Sequence, residues 1–261
     1  MRYTRQNVFI EYDDIGNGVP LLLIHAFPFD RTMWRAQIAG VQQPYRVIAP
    51  DLRGFGRSSE TDGRPVTMDQ YAADLSALLD SLNVPHAIVG GLSMGGYIAL
   101  AYLAQYPDRV KGLILANTRA LPDSAEARQA RLINAARVRA EGVSFLIDAL
   151  SPKMLGPTAK SELNVTVRSM IARQRAQGLA SALLGMAARP DRTPLLSAIK
   201  VPTLIITGSA DVLISPTDSE ALCAAIPQST LVRIPDAGHL SNLDKADAFN
   251  DALRAFRSKV S

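Results

Sequence analysis

The sequence of 261 residues has one cysteine, three histidines and one tryptophan. A single cysteine, Cys223, excludes a disulfide within the chain and a cysteine-based zinc site. Three histidines leave little material for a histidine-rich metal site, so we expect no metal ion. Glycine and proline contribute 17 and 16 residues without a tripeptide period, which excludes a collagen-like or largely disordered chain.

The sequence also lacks a strong net charge. At pH 7 the formal charge is +4, too weak and too dispersed to indicate a nucleic-acid partner. Residues 121–195 nevertheless hold eleven basic and six acidic residues, so the positive excess lies in one internal segment. These charges are typical of solvated outer helix faces, and in particular Arg128, Arg131, Arg137 and Arg139 fit an outer stripe with at most one or two arginines facing inward. Electrostatic attraction of anionic substrates is the alternative.

No targeting or membrane segment is recognisable. Residues 1–7 are polar, and acidic residues precede the first apolar run at 19–29, unlike in a signal peptide. Residues 81–107 carry no formal charge, but several glycines, a proline and an asparagine interrupt them. A strand, a tight turn and a helix explain these interrupting residues better than a membrane span does. We therefore predict a cytoplasmic protein without a membrane or nucleic-acid partner, as a monomer or small homo-oligomer.

Short apolar runs alternate with helical patterns along most of the chain. This alternation predicts an α/β fold, with a mostly parallel central sheet flanked by helices. Residues 121–195, hereafter the inserted segment, have no strand pattern and predict three or four helices forming a cap on a core of residues 1–120 and 196–261. An N-terminal hairpin with its turn at Gln6-Asn7 is also predicted. The predicted core strands are Pro20–His25, Arg46–Pro50, His86–Gly90, Val110–Ala116, Thr203–Thr207 and Thr230–Ile234.

A G-x-S-x-G motif, Gly91-Leu92-Ser93-Met94-Gly95, lies between a predicted strand and an apolar helix. In this setting the serine is held on a sharp turn, and the flanking glycines are needed because the turn crowds their positions. A serine hydroxyl is a weak nucleophile and needs a base that is oriented by a carboxylate. The strand–turn–helix context therefore makes Ser93 a candidate nucleophile.

His239 is the best candidate base, because it follows the last predicted strand, at the sheet edge where α/β sites are built. His86 precedes its strand and should lie at the opposite edge, and His25 is interpreted as structural. Asp211 follows another strand in a short loop and is the preferred acid. Asp236 is the competing acid, but it lies only three residues before the histidine.

The segments HAFPFDRTMW, DLRGFGRS, GLSMGG, GSAD and AGH make the chain resemble an α/β-hydrolase along its whole length. Within that superfamily it is similar to the carboxylesterase and 3-oxoadipate enol-lactonase-like branch. The resemblance implies a hydrolase with a helical cap and a catalytic triad of Ser93, Asp211 and His239 in the order nucleophile, acid, base.

An oxyanion hole needs two fixed N–H donors. The N–H of Met94, next to the nucleophile, is one, and the resemblance implies that Phe27 supplies the other, since Pro28 has no N–H. Related enzymes usually have His-Gly where this chain has His25-Ala26. Ala26 can occupy this position if the related enzymes need their glycine for close approach of the backbone. It cannot if they need the glycine for a positive φ.

These features predict a serine hydrolase that cleaves carboxylic esters of short to medium acyl chain, without a cofactor. Three alternatives remain: an enol-lactone hydrolase acting on an anionic substrate, a cofactor-free perhydrolase, and a non-catalytic ligand receptor on the same fold. The partner is in each case a small molecule, an ester or lactone for the enzymatic interpretations. An apolar substrate pocket is predicted from Phe29, Trp34, Leu146, Met154, Leu183 and Met186.

Overall fold

A computed structural model describes residues 1–5 and 8–260. In these residues eight strands form one sheet in the order β1-β2-β4-β3-β5-β6-β7-β8. The pairs β1–β2 and β2–β4 are antiparallel, and every other neighbouring pair is parallel. The strands are β1 (Arg2–Arg5), β2 (Val8–Ile15), β3 (Val19–Ile24), β4 (Tyr45–Pro50), β5 (Ala87–Leu92), β6 (Val110–Ala116), β7 (Thr203–Gly208) and β8 (Ser229–Ile234).

The predicted core strands are confirmed to within two residues at each end. Every residue of β5 and of β7 is buried, as expected of central strands that are covered on both faces. The strands β1 and β2 pair as the predicted hairpin does, while its predicted turn at Gln6-Asn7 lies outside the described residues.

Helices cover both faces of the sheet, and two separate clusters of buried apolar side chains fill the space beneath them. The α2 helix (Met68–Ser81) begins with a capping box, in which Thr67 and Gln70 exchange side-chain-to-backbone hydrogen bonds. The helices of this core are α1 (Arg35–Val41), α2 (Met68–Ser81), α3 (Met94–Gln105), α8 (Pro216–Ala225), α9 (Ser241–Asp244) and α10 (Ala246–Arg257).

The inserted segment lies between β6 and β7 and is helical throughout its regular structure. The α4 helix begins at a Ser124 cap, and α4 packs against α7. The division of the chain at residues 121 and 195 stays a prediction. The helices are α4 (Ala125–Glu141), α5 (Ser144–Leu150), α6 (Ser161–Ala172) and α7 (Ala176–Ala187).

This topology brings several loops to one place. Because β5, β6, β7 and β8 are mutually parallel, the loops after them leave the same edge of the sheet. Ligand sites of open α/β sheets form outside the carboxyl ends of the strands. Within the described ranges, no helix is both long and apolar enough to cross a bilayer.

Candidate active site

Ser93 lies on a strained turn between β5 and α3. Its φ of 56° and ψ of −114° are in a region that L-residues rarely adopt, as a sharp strand-to-helix turn requires. The Ser93 N–H donates to the carbonyl of Ala116 at 2.9 Å, and the Thr118 hydroxyl donates to the Ser93 carbonyl at 2.8 Å. The backbone of the turn is thus tied to the end of β6.

The glycines that flank the turn are required by close backbone contacts. A Cβ at Gly91 would lie 2.1 Å from the carbonyl carbon of Gly95. A Cβ at Gly95 would lie 2.2 Å from the carbonyl oxygen of Ile24. Both distances are far below a van der Waals contact, so the pattern of small residues around Ser93 has a steric cause.

His239 and Asp211 form a buried pair in the loops after β8 and β7. The His239 Nδ1 lies 2.9 Å from the Asp211 Oδ2, and Leu213 and Ile214 donate backbone N–H groups to Oδ1 at 2.9 and 3.0 Å. Burial alone would raise the pKa of Asp211, but His239, Asn117 and the Ile214 N–H outweigh it and lower that pKa below its ordinary value. The aspartate is therefore held as a carboxylate beside the imidazole.

The competing candidates have other surroundings. Asp236 lies in an exposed turn with a φ of 58°, and Asp211, not Asp236, contacts the His239 ring. His25 is fully buried: its Nδ1 contacts the Ala26 carbonyl at 3.0 Å, and its Nε2 accepts from the Leu52 N–H at 3.0 Å. Burial lowers the pKa of His25, which favours the neutral ring that this pairing needs. The structural role predicted for His25 agrees with these bonds.

Two backbone N–H groups are available beside the serine. Met94 is the first residue of α3, so its N–H has no partner within the helix, and Phe27 lines the same cavity as Ser93. Ala26, which stands between His25 and Phe27, is buried and does not have a positive φ. Because residue 26 does not need a positive φ, alanine is compatible with the oxyanion loop.

A cavity of about 160 Å³ contains the candidate nucleophile and base. One part of its wall is apolar and the other carries two arginines, Arg119 and Arg131. Tyr97 lies four residues after Ser93, so it is on the same face of α3, a spacing from which the sequence could have predicted it. The lining residues are Phe27, Ser93, Tyr97, Arg119, Arg131, Leu150, Met154, Met186, Leu213, Ile214 and His239.

The chain matches the model of the alpha/beta hydrolase family over residues 21–252. It belongs to this family. The 3-oxoadipate enol-lactonase 2 of Acinetobacter baylyi is 34% identical over 97% of this chain and 94% of its own length. A thermophilic esterase from Thermogutta terrifontis, solved with malate bound, is 42% identical with a TM-score of 0.95, covering 97% of this chain and 95% of that one. The enol-lactonase from Burkholderia xenovorans is 31% identical with a TM-score of 0.90, covering 99% of this chain and 100% of that one.

Four of the six side chains predicted to line the substrate pocket of this hydrolase do not border the cavity. Phe29 and Trp34 are 0% and 1% exposed in the core cluster beneath α10, where Trp34 packs against Phe249. Leu146 and Leu183 are buried in the cluster on the other face of the sheet. The prediction for these four is therefore corrected: their apolar surface fills the protein interior. Met154 and Met186 do line the cavity.

The sequence predicts only in part which arginines of the inserted segment are exposed and which border the cavity. Arg128, Arg137 and Arg139 are exposed, as the outer stripe requires. Arg131, assigned to the same stripe, is half-buried and borders the cavity. Its Nε donates to the Asp123 Oδ2 at 2.5 Å, and this contact draws the guanidinium inward. No cluster of three or more potential metal-ligating side chains occurs in the part of the hydrolase that the structure describes.

Proposed function

We propose that this hydrolase cleaves carboxylic esters through an acyl-enzyme formed on Ser93. The proposal rests on the buried His239–Asp211 pair, whose histidine lines the same cavity as Ser93. Because Asp211 engages Nδ1, the other ring nitrogen, Nε2, is left to accept the serine proton as the oxygen attacks the ester carbonyl. Water then releases the acyl group, with His239 again as general base.

The oxyanion of each tetrahedral intermediate is stabilised by the N–H groups of Met94 and Phe27. A donor without an acceptor in the resting protein can bind the developing negative charge without first breaking another bond. The inserted segment acts as a cap, since it supplies Leu150, Met154 and Met186 to the cavity wall.

The cavity size supports short to medium acyl chains. Its volume of about 160 Å³ is below the roughly 300–1,000 Å³ of pockets that enclose drug-sized ligands. We therefore expect kcat/KM for p-nitrophenyl esters to be highest at or below the butyrate and to fall with longer chains.

The nucleophile is tested by replacing Ser93→Ala and measuring hydrolysis of p-nitrophenyl butyrate. Loss of a triad member lowers the rate by about 10³-fold or more. Ser219→Ala is a matched control, because Ser219 is a buried serine on α8 outside the cavity. If Ser93→Ala retains its activity while the protein stays folded, the proposal is wrong.

A second candidate function, hydrolysis of an ester or enol-lactone that carries a carboxylate, is favoured by the charge on the cavity wall. Arg119 and Arg131 border the cavity. The Arg189 Nη1 lies 2.8 Å from the Asp123 Oδ1. Three guanidinium groups thus surround one carboxylate whose side chain is 1% exposed. Burial alone would raise the pKa of Asp123, but Arg131 and Arg189 outweigh it and lower that pKa.

Arg119 has the larger unused donor capacity of the two cavity arginines. Its Nη2 is 3.5 Å from the Asp123 Oδ1, whereas Arg131 donates to both oxygens of that carboxylate, at 2.5 and 3.3 Å. Guanidinium groups bind carboxylates in a planar, two-donor geometry, so Arg119 suits a substrate carboxylate. Relatives named 3-oxoadipate enol-lactonase and an esterase with malate bound support an acidic ligand here.

The two candidates are separated by methyl butyrate and monomethyl glutarate, which differ by one terminal carboxylate. A hydrogen bond to a charged group contributes about 1.5–3 kcal/mol, equivalent to roughly 10- to 100-fold in kcat/KM. For an acidic substrate, Arg119→Gln lowers kcat/KM by that factor for monomethyl glutarate and leaves methyl butyrate unchanged. The exposed Arg128→Gln on α4 is the control and alters neither. The acidic-substrate function is excluded if wild type hydrolyses methyl butyrate faster than monomethyl glutarate and Arg119→Gln changes kcat/KM for neither ester. Hydrolysis of neutral esters would then be the remaining candidate.

A further inference from the structure

A buried asparagine, Asn117, joins the loops that carry the acid and the base. It follows β6 directly, has a φ of 45° and is 0% exposed. Its backbone N–H donates to the carbonyl of Ile206 in β7 at 2.8 Å, which fixes its position at the edge of the sheet. Asparagine tolerates this left-handed conformation better than most residues.

The Asn117 side chain contacts the acid at the oxygen that holds the histidine. Its Nδ2 donates to the Asp211 Oδ2 at 2.8 Å, and the same oxygen lies 2.9 Å from the His239 Nδ1. The second Nδ2 contact, with the Gly238 carbonyl, is 3.4 Å long. The amide therefore connects Asp211 to the residue that precedes His239.

Ser241 determines which way the amide is turned. Its hydroxyl donates to the Asn117 Oδ1 at 2.6 Å, and Ser241 is also 0% exposed. An ionised Asp211 accepts hydrogen bonds only, so the NH₂ group must face it and the amide oxygen must face the hydroxyl. A reversed amide would put two acceptors against each other at Asp211.

We propose that Asn117 and Ser241 are positioning residues for the triad, which keep the Asp211 carboxylate ionised and directed at the His239 Nδ1. This inference rests on the proposed function. Neither residue lines the cavity, so both act through the acid–base pair and not on the substrate. Loss of either should therefore lower kcat while KM stays nearly constant.

The Asn117→Asp variant gives a readout that a purely structural role would not. Two carboxyl groups at this distance cannot both ionise easily, so Asn117→Asp introduces a group whose titration is coupled to that of Asp211. While protonated, the new carboxyl can donate to Asp211 in place of the amide. The titratable groups that face this position are Asp211 and His239, and Asp244 of α9 accepts from the Gly238 N–H nearby at 2.8 Å.

The test measures kcat and KM for p-nitrophenyl butyrate between pH 5 and 10. We expect Asn117→Ala to lower kcat by about 10- to 100-fold with KM changed less than threefold, and Ser241→Ala to lower kcat by about three- to tenfold. For Asn117→Asp, kcat should fall on the alkaline side, where wild type reaches a plateau, as the second carboxyl loses its proton. Asn250→Ala, a buried asparagine on α10, and Ser219→Ala are controls that leave kcat unchanged.

The outcomes separate this inference from the proposed function. If wild type hydrolyses the ester in a Ser93-dependent way but Asn117→Ala and Asn117→Asp both keep the wild-type kcat at every pH, the positioning role is refuted and the triad stands. If Asn117→Ala does not fold, the isosteric Asn117→Asp and Ser241→Ala still decide. If wild type hydrolyses no ester, or does so without Ser93, the proposed function itself fails.

Discussion

A buried carboxylate on the loop after β3 ties the core to the inserted segment. The Asp30 side chain is 3% exposed and receives two hydrogen bonds from Arg173, both at 2.8 Å, and one from the Gln174 Nε2 at 2.9 Å. Arg173 is the C-cap residue that follows α6, so this ion pair joins the inserted segment to the core. We expect Asp30→Asn to destabilise the folded protein at neutral pH.

The magnitude follows from the pKa of Asp30. Burial alone would raise it, but hydrogen bonds from Arg173 and Thr32 and the charge of Arg173 outweigh burial and lower the pKa from 3.8 to about 2. Each tenfold change in proton affinity is worth about 1.4 kcal/mol, so the ionised group stabilises the folded state by about 2 kcal/mol. Because the folded-state pKa is the lower one, this stabilisation is present above about pH 4 and is lost as the pH falls towards 2.

The measurement is urea unfolding of wild type and Asp30→Asn at a series of pH values from 7 to 3. We expect a difference in the free energy of unfolding of about 2 kcal/mol at pH 7, with a decrease that begins below about pH 4.

Asp148→Asn serves as the control, because Asp148 pairs with Arg168 on the surface of the inserted segment and its side chain is 74% exposed. Exposed pairs contribute between zero and about 1 kcal/mol, so this variant should change stability little at any pH. A difference in the free energy of unfolding that is absent at pH 7, or that stays constant down to pH 3, would show that ionised Asp30 does not stabilise the folded state through this ion pair.

Three further predictions concern the site. Asp211→Asn should lower kcat by about 10³-fold or more because His239 loses its ionised partner, and Asp236→Asn should leave kcat within a few-fold. The reverse pattern would mean that Asp236, and not Asp211, is the acid of the triad. Gly95→Ala should destabilise the fold by about 1–3 kcal/mol in urea unfolding, since its Cβ would meet the Ile24 carbonyl at 2.2 Å, and an unchanged midpoint would contradict that contact. If the substrate is acidic, kcat/KM for monomethyl glutarate should fall between 0.01 and 0.5 M salt while that for methyl butyrate stays constant; equal responses would argue against attraction by the cavity arginines.

The strands and the histidine–acid pair could be predicted from the sequence because local patterns specify them. Continuous apolar runs predict buried parallel strands, and parallel strands bring their carboxyl-terminal loops to one edge. Asp211 and His239 are 28 residues apart, yet their contact needs only that β7 and β8 are neighbours. The spacing of Gly91 and Gly95 around Ser93 is likewise a local steric requirement.

The lining of the cavity depends on packing between distant segments, which a single sequence does not reveal. Phe29 and Trp34 were predicted to face the substrate, but α10, more than 200 residues away, covers Trp34 through Phe249. Arg131 has the spacing of an outer-stripe residue and is drawn to the cavity by the buried Asp123.

Asn117 was not among the residues that the sequence predicted for the site. The role proposed for Asn117 rests on the hydrogen bonds of its amide to Asp211 and Ser241, which are contacts between distant parts of the chain. Its position at the carboxyl end of β6 is a signal by which it could have been found, since side chains at these strand ends border the sites of α/β proteins.

Covalent trapping tests directly whether Ser93 carries the acyl group during turnover. Wild-type protein is mixed with p-nitrophenyl butyrate, quenched with acid within milliseconds and digested for peptide mass spectrometry. We predict a butyryl group on the Ser93 side chain and no acylated peptide from Ser93→Ala treated in the same way. A butyryl group at another residue, together with undiminished turnover by Ser93→Ala, would show that Ser93 is not the nucleophile.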